Sequence, residues 1–209
     1  MIRLFVALSS PDEVRRSLAT LCAGVPGARW SKPEQFHLTL RFIGEVDGRM
    51  AHTIAEELSG IMMPSFELNL FGVGTFGDRR KTHSLWAGVR PHPSLNRLQD
   101  KVDNACLRAG LTPDRRKFAP HVTLARLNNA PVDRLGAFLS HHALYEAPSF
   151  LCDRFVLYSS FLSSSGAIYT PERIYRLDGL TAEDGEDDWM ADEADHWDRQ
   201  EMAAYGHGD

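Results

Sequence analysis

Cysteine is scarce in this sequence, and long apolar runs are missing. The three cysteines, Cys22, Cys106 and Cys152, are odd in number and far apart, and none forms a C-x-x-C. That argues against a disulfide framework or a zinc knuckle and fits a reducing cytoplasm. Cys22 and Cys106 fall on apolar helix faces, where core residues sit. No stretch of the 209 residues approaches the roughly 18–20 apolar residues of a membrane span. The opening Met1–Leu8 segment is apolar but short, with no small-residue cleavage site after it, and reads as a first strand. H-E-x-x-H is absent, so a helical zinc site is not implied. G-x-S-x-G and C-G-x-C-W are absent too, so no serine or cysteine nucleophile is implied.

Charge is unevenly spread. The net value is −5. Residues 181–209 hold 11 acidic side chains against the single base Arg199, or −10, leaving +5 on the first 180 residues. A mildly basic body is compatible with a phosphate-bearing partner. The tail is poor in apolar residues and strongly acidic, which favours flexibility. Its charge and its aromatics Trp189, Trp197 and Tyr205 also suit docking on the basic body in competition with nucleic acid.

One pattern occurs twice: His37-Leu38-Thr39-Leu40 and His121-Val122-Thr123-Leu124. Side chains alternate faces along a strand, so His37 and Thr39 share one face, His121 and Thr123 share another, and the apolar residues point away. The flanking elements repeat as well. The first half reads as strand 2–8, helix from Ser10 (N-cap) and Pro11 to Gly24, loop, strand 36–43, helix 49–60, strand 66–73. The second reads as strand 84–90, helix 94–109, strand 118–127, helix 131–141, then a hairpin of 150–159 and 167–177. Ser65-Phe66 and Ser149-Phe150 lie at offsets of 28 and 29 from their respective histidines. Two copies are too few for a solenoid. The reading is an α+β, bilobal, pseudo-twofold duplicated domain, its antiparallel sheets forming a central cleft with the helices outside. The domain takes residues 1–180, with interleaved lobes from repeats of roughly 1–83 and 84–178, and 181–209 is an acidic appendage.

Two imidazoles at one cleft suit paired proton transfer. A histidine titrates near neutrality, so one ring can be neutral and act as base while the other is protonated and acts as acid. A threonine beside each offers a hydroxyl to a phosphoryl oxygen. Two histidines with no carboxylate on the same strand face make a poor zinc site, so the electrostatic help is assigned to fixed cations. Arg126 follows the second motif directly. Arg41, two positions past Thr39, is expected on the face of His37. The loop triplets Arg79-Arg80-Lys81 and Arg115-Arg116-Lys117 are candidates for backbone phosphates. Trp30, Phe36 and Phe118 are candidates for base stacking, with apolar packing the stronger reading. His83, His92, His141 and His142 read as surface residues. On these grounds the acid and base roles of His37 and His121 are interchangeable.

The paired motifs resemble those of the 2H (two-histidine) phosphoesterase superfamily. Within it the chain is similar to the RNA 2′,3′-cyclic phosphodiesterases, historically called 2′-5′ RNA ligases. The likeness spans about residues 1–178. It rests on Arg3-Leu4-Phe5-Val6-Ala7, Phe36 to Glu45, Phe118 to Arg126, and Ser165-Gly166-Ala167-Ile168-Tyr169. It implies a bilobal fold, no metal or cofactor, and hydrolysis of RNA 2′,3′-cyclic phosphate ends to 2′-phosphomonoesters. By that resemblance His121 is the proton acceptor and His37 the proton donor, while Thr39, Thr123 and Arg126 hold the phosphate. A weak, ATP-independent 2′-5′ ligation is implied in reverse. The expected enzyme is cytoplasmic and monomeric, with no membrane partner. The competing expectations are another cyclic or 2′-5′ nucleotide substrate, and a nucleotide- or RNA-binding module without catalysis.

Overall fold

A computed structural model describes residues 1–77, 82–163 and 166–177. The triplet Arg79-Arg80-Lys81, the Ser164-Ser165 turn and the acidic tail 181–209 lie outside the described residues.

The first half runs β1 (Ile2–Ser9), α1 (Asp12–Ala19), β2 (Ala28–Trp30), a 3-10 turn (Pro33–Gln35), β3 (His37–Val46), α2 (Gly48–Ser59), β4 (Phe66–Leu68) and β5 (Leu70–Gly77). The second runs β6 (Thr82–Val89), α3 (Pro93–Arg108), β7 (His121–Leu127), α4 (Val132–His141), β8 (Phe150–Cys152), β9 (Arg154–Ser163) and β10 (Gly166–Arg176). The repeat is thus present in the element order, with departures from the sequence reading. The expected strand 66–73 is broken into β4 and β5, the expected strand 150–159 is broken into β8 and β9, and the first helix ends at Ala19, short of Gly24. A strand, β2, lies where a loop was expected. Ser10 does not cap α1: it is buried at the end of β1, and α1 starts after Pro11 with no side-chain cap. α4 likewise starts after a proline, Pro131, without a side-chain cap, whereas α2 and α3 are capped by side chains that accept from the first turn. Asp47 accepts from the Met50 amide at the start of α2, and His92 does the same for Ser94 at α3. His92, read as a plain surface residue, is therefore a cap that also stacks on Phe66.

The strands join in the order β10-β9-β1-β3-β7-β6-β5, with β2 also pairing β7, and each of these pairings is antiparallel. The halves exchange strands. First-half β5 pairs with second-half β6, and second-half β9 pairs with first-half β1. Strands β4 and β8, one from each half, form a separate ladder. In the main sheet β3 meets β7 at the rung Leu38–Val122. These are the same position of the two motifs, so the pseudo-twofold axis passes between them.

One face of this sheet is packed and the other is left for chemistry. Leu4, Val6, Leu8, Leu38, Leu40, Leu85, Val122 and Leu124 join one apolar core with helix residues Leu18, Ile54, Leu58, Leu98, Val102 and Phe138. That core is the dominant stabilising term, at about 25 cal/mol per Å² of apolar surface removed from water. Cys106 and Cys152 are buried free thiols in it, and Cys22 packs against it with its thiol raised to about 11 by burial. No helix among the described residues is long and apolar enough to cross a membrane.

Candidate active site

Leu38 and Val122 are directly opposite and buried, so their neighbours His37, Thr39, His121 and Thr123 emerge together on the other face. The antiparallel register sets each histidine across from the other motif's threonine. The two motifs therefore converge by backbone pairing alone.

Each imidazole is held in the same way. The Nδ1 of His37 lies 2.7 Å from the Gln35 carbonyl, and the Nδ1 of His121 lies 2.7 Å from the Ala119 carbonyl. A carbonyl oxygen only accepts, so Nδ1–H donates in both rings and Nε2 is left for chemistry. Aromatic rings wall in the pair. His37 has Phe5 at 4.9 Å and Tyr169 edge-on at 5.1 Å. His121 has Phe76 edge-on at 4.7 Å and Trp86 at 6.2 Å. Trp86 packs on Gly74, where an added Cβ would collide with the indole, so glycine is required there.

Burial among these rings lowers both histidine pKa values from the ordinary 6.5, because the charged form loses hydration. The carbonyl bonds oppose this in each. The positive charge of His121 lowers His37 further, so the two rings resist being charged together.

A bulge in each motif strand decides which cation joins them. Across β6, Trp86 pairs Thr123 and Leu85 pairs Ala125, so Leu124 is the extra residue in β7. Across β1, Ala7 pairs Thr39 and Val6 pairs Arg41, so Leu40 is the extra residue in β3. An extra residue inverts the alternation beyond it. Arg126, three positions past Thr123, thereby returns to the face of His121 and Thr123. Its charge reaches Tyr169, the ring beside His37.

The same inversion corrects the expectation for Arg41. It turns away from His37 into the packed face and is 7% exposed. There it donates to Asp103 of α3 at 3.2 Å and to the Thr112 carbonyl at 2.6 Å. The residue at the place related by the repeat to Arg126 is Phe42. It is 49% exposed and stacks on Phe5 at 6.1 Å. Cation on one side and aromatic on the other make the site asymmetric although its histidines are not.

The remaining expectations sort by geometry. Thr39 and Thr123 are half-buried beside their histidines. Phe36 is buried, Trp30 points to Phe138 of α4, and Phe118 packs on the core, so none presents a face to the cleft. In the triplet 115–117, Arg116 is held by Asp114, whose carboxyl falls to about 2 under that pairing. Among the described residues no cluster of three or more His, Cys, Asp or Glu side chains could hold a metal.

A phosphoesterase is the class that this sheet and paired-histidine cleft define. The family model for LigT-like phosphoesterases matches residues 8–86 and again 89–169, one match per half. The chain belongs to that family. It is 36% identical over 129 residues to an RNA 2′,3′-cyclic phosphodiesterase of Geobacillus stearothermophilus, covering 58% of this chain and 41% of that longer protein. The chain thus matches less than half of that relative's length. With the RNA 2′,3′-cyclic phosphodiesterase of Aeropyrum pernix it shares 35% identity over 148 residues, covering 70% of this chain and 84% of the relative. The crystal structure of E. coli LigT in apo form superposes with a TM-score of 0.70 at 27% identity, covering 85% of this chain and 98% of that one. LigT has also been solved in complex with 3′-AMP.

Proposed function

We propose that this protein hydrolyses RNA ends carrying a 2′,3′-cyclic phosphate to 2′-phosphomonoesters, by general acid and base catalysis from its two histidines. One observation carries the reading: both imidazoles are fixed through Nδ1 to a backbone carbonyl, and so offer Nε2 from one sheet face across the Leu38–Val122 rung. In the step, His121 Nε2 takes a proton from water as its oxygen bonds to phosphorus. The P–O3′ bond breaks and His37 Nε2 gives its proton to O3′, leaving a 2′-phosphate and a 3′-hydroxyl. Thr39, Thr123 and Arg126 stabilise the charge gathering on the non-bridging oxygens. The names of the relatives and the 3′-AMP complex of LigT support an RNA-end substrate. The donor set supports a reaction without metal or cofactor. Residues 1–180 act as one two-lobed catalytic domain, a reading supported by the strand exchange between halves. The enzyme works as a cytoplasmic monomer, in keeping with its buried free thiols.

Turnover of a short RNA with a 2′,3′-cyclic phosphate end tests the reading, and its pH dependence tests the histidines. Burial lowers both pKa values. The kcat/KM bell, which reports the free enzyme, is therefore expected to centre below the ordinary imidazole value of about 6.5. A bound phosphate anion favours both imidazolium forms, so the limbs of kcat should lie at higher pH than those of kcat/KM. Coincident profiles centred above 7 would contradict this. Phe42 is assigned the terminal base. Phe42→Ala should raise KM about fivefold with kcat held, since stacking contributes about 1–3 kcal/mol per base.

A further inference from the structure

Sequence reading passed over Arg29, because it lies in the three-residue strand β2. Its place in the sheet is specific. In the β2–β7 ladder Arg29 is the direct partner of Arg126, between the pairs Ala28–Leu127 and Trp30–Ala125. Directly opposed residues share a face and stand about 5 Å apart. Trp30 points to α4 on the packed face, so Arg29 points with Arg126 to the face of His121 and Thr123. Both arginines are exposed, and among the described residues neither makes an ion pair or hydrogen bond. The other arginines of strands β1, β3 and β9, namely Arg3, Arg41 and Arg154, are each matched by a carboxylate. Like charges directly opposed across a ladder destabilise it. An anion lying against both would relieve that repulsion.

We infer that Arg29 binds a second phosphate, the phosphodiester on the 5′ side of the terminal nucleotide, and so selects polynucleotide ends over single cyclic nucleotides. The inference rests on the function proposed above. A cyclic phosphate offers two non-bridging oxygens, and Thr39, Thr123 and Arg126 supply enough donors for both. Arg29, one strand further over, is left with charge to offer to the next anion along the chain. RNA supplies one there, and a mononucleotide does not.

The test compares the full chain with Arg29→Gln and Arg29→Lys on two substrates with the same terminal base. One is a pentaribonucleotide ending in a 2′,3′-cyclic phosphate and the other is the nucleoside 2′,3′-cyclic monophosphate. Arg29→Gln should lower kcat/KM on the oligonucleotide about tenfold, mostly through KM, and at least five times more than on the mononucleotide. The slope of log kcat/KM against log salt for the oligonucleotide should shrink by about 0.7, the value for one lost contact to a single strand. Arg29→Lys keeps the charge and should restore most of the slope. Removing the like-charge pair should leave the melting temperature equal or higher. Equal losses on both substrates would overturn the inference and place Arg29 on the reacting phosphate. An unchanged oligonucleotide KM would overturn it outright. If the parent turns over neither substrate, the functional reading fails by itself. Arg29 is then judged on binding of the same pentaribonucleotide: a smaller salt slope in Arg29→Gln upholds the second phosphate site, and an unchanged slope removes it.

Discussion

Alanine in place of His37 or of His121 is expected to lower kcat on a cyclic-phosphate RNA end by about 10³-fold, within the usual range for general acid or base catalysis. The double variant should lose little more than either single one, because the two rings act in one step. Substrate affinity, read by binding in the absence of turnover, should change much less. The two variants are separable by the leaving group. With sulfur in place of the bridging 3′ oxygen, the departing atom needs no proton. Such a substrate should rescue His37→Ala substantially and leave His121→Ala inactive. The opposite rescue would exchange the two roles. The site's electrostatics bear on this directly. Burial lowers both imidazole pKa values, and repulsion between two imidazoliums disfavours the doubly charged pair, so a single proton on the pair is the state that general acid and base catalysis needs. Two coupled rings titrate as a pair, and the kinetic limbs belong to the pair rather than to either residue.

Arg41→Ala should act on stability and not on chemistry. The guanidinium is buried and bridges β3 to Asp103 on α3 and to the Thr112 carbonyl, while Gln99 donates to the second Asp103 oxygen at 2.5 Å. Breaking a buried ion pair by removing one member typically costs 3–5 kcal/mol, because the other charge is left behind. Asp103 still reaches water, with its side chain 29% exposed, so the lower end, about 3 kcal/mol, is expected. The urea midpoint should fall accordingly, while kcat/KM per folded molecule stays within about twofold. A raised KM with unchanged stability would return Arg41 to the substrate.

Arg41 also marks where sequence legibility ended. Period-two alternation was enough to group His37 with Thr39 and His121 with Thr123, because no bulge falls inside either pair. It failed one residue later. Leu40 and Leu124 are extra residues in their ladders, and nothing local announces them, since a bulge is a property of two strands in register. The bulge in β3 took Arg41 off the cleft and the bulge in β7 put Arg126 on it, although both residues follow their motifs closely. The duplication could be read from equal offsets and interleaved lobes were expected, but which strands cross between halves, β5 and β9, could not be named, because a strand's period does not name its partner. β2 was too short to show any period, which hid Arg29. Phe42 looked like one more apolar strand residue. Its exposure follows from the bulge, and its relation to Arg126 from the twofold.

The central claim is that two histidines, without a metal, open a cyclic phosphate at its 3′ oxygen. It is tested most directly by incubating a short RNA ending in a 2′,3′-cyclic phosphate with the protein in EDTA and identifying the phosphate position in the product. The account predicts a 2′-phosphate from the parent and none from His37→Ala or His121→Ala above the residual rate. A 3′-phosphate product, or normal turnover by either variant, would contradict it.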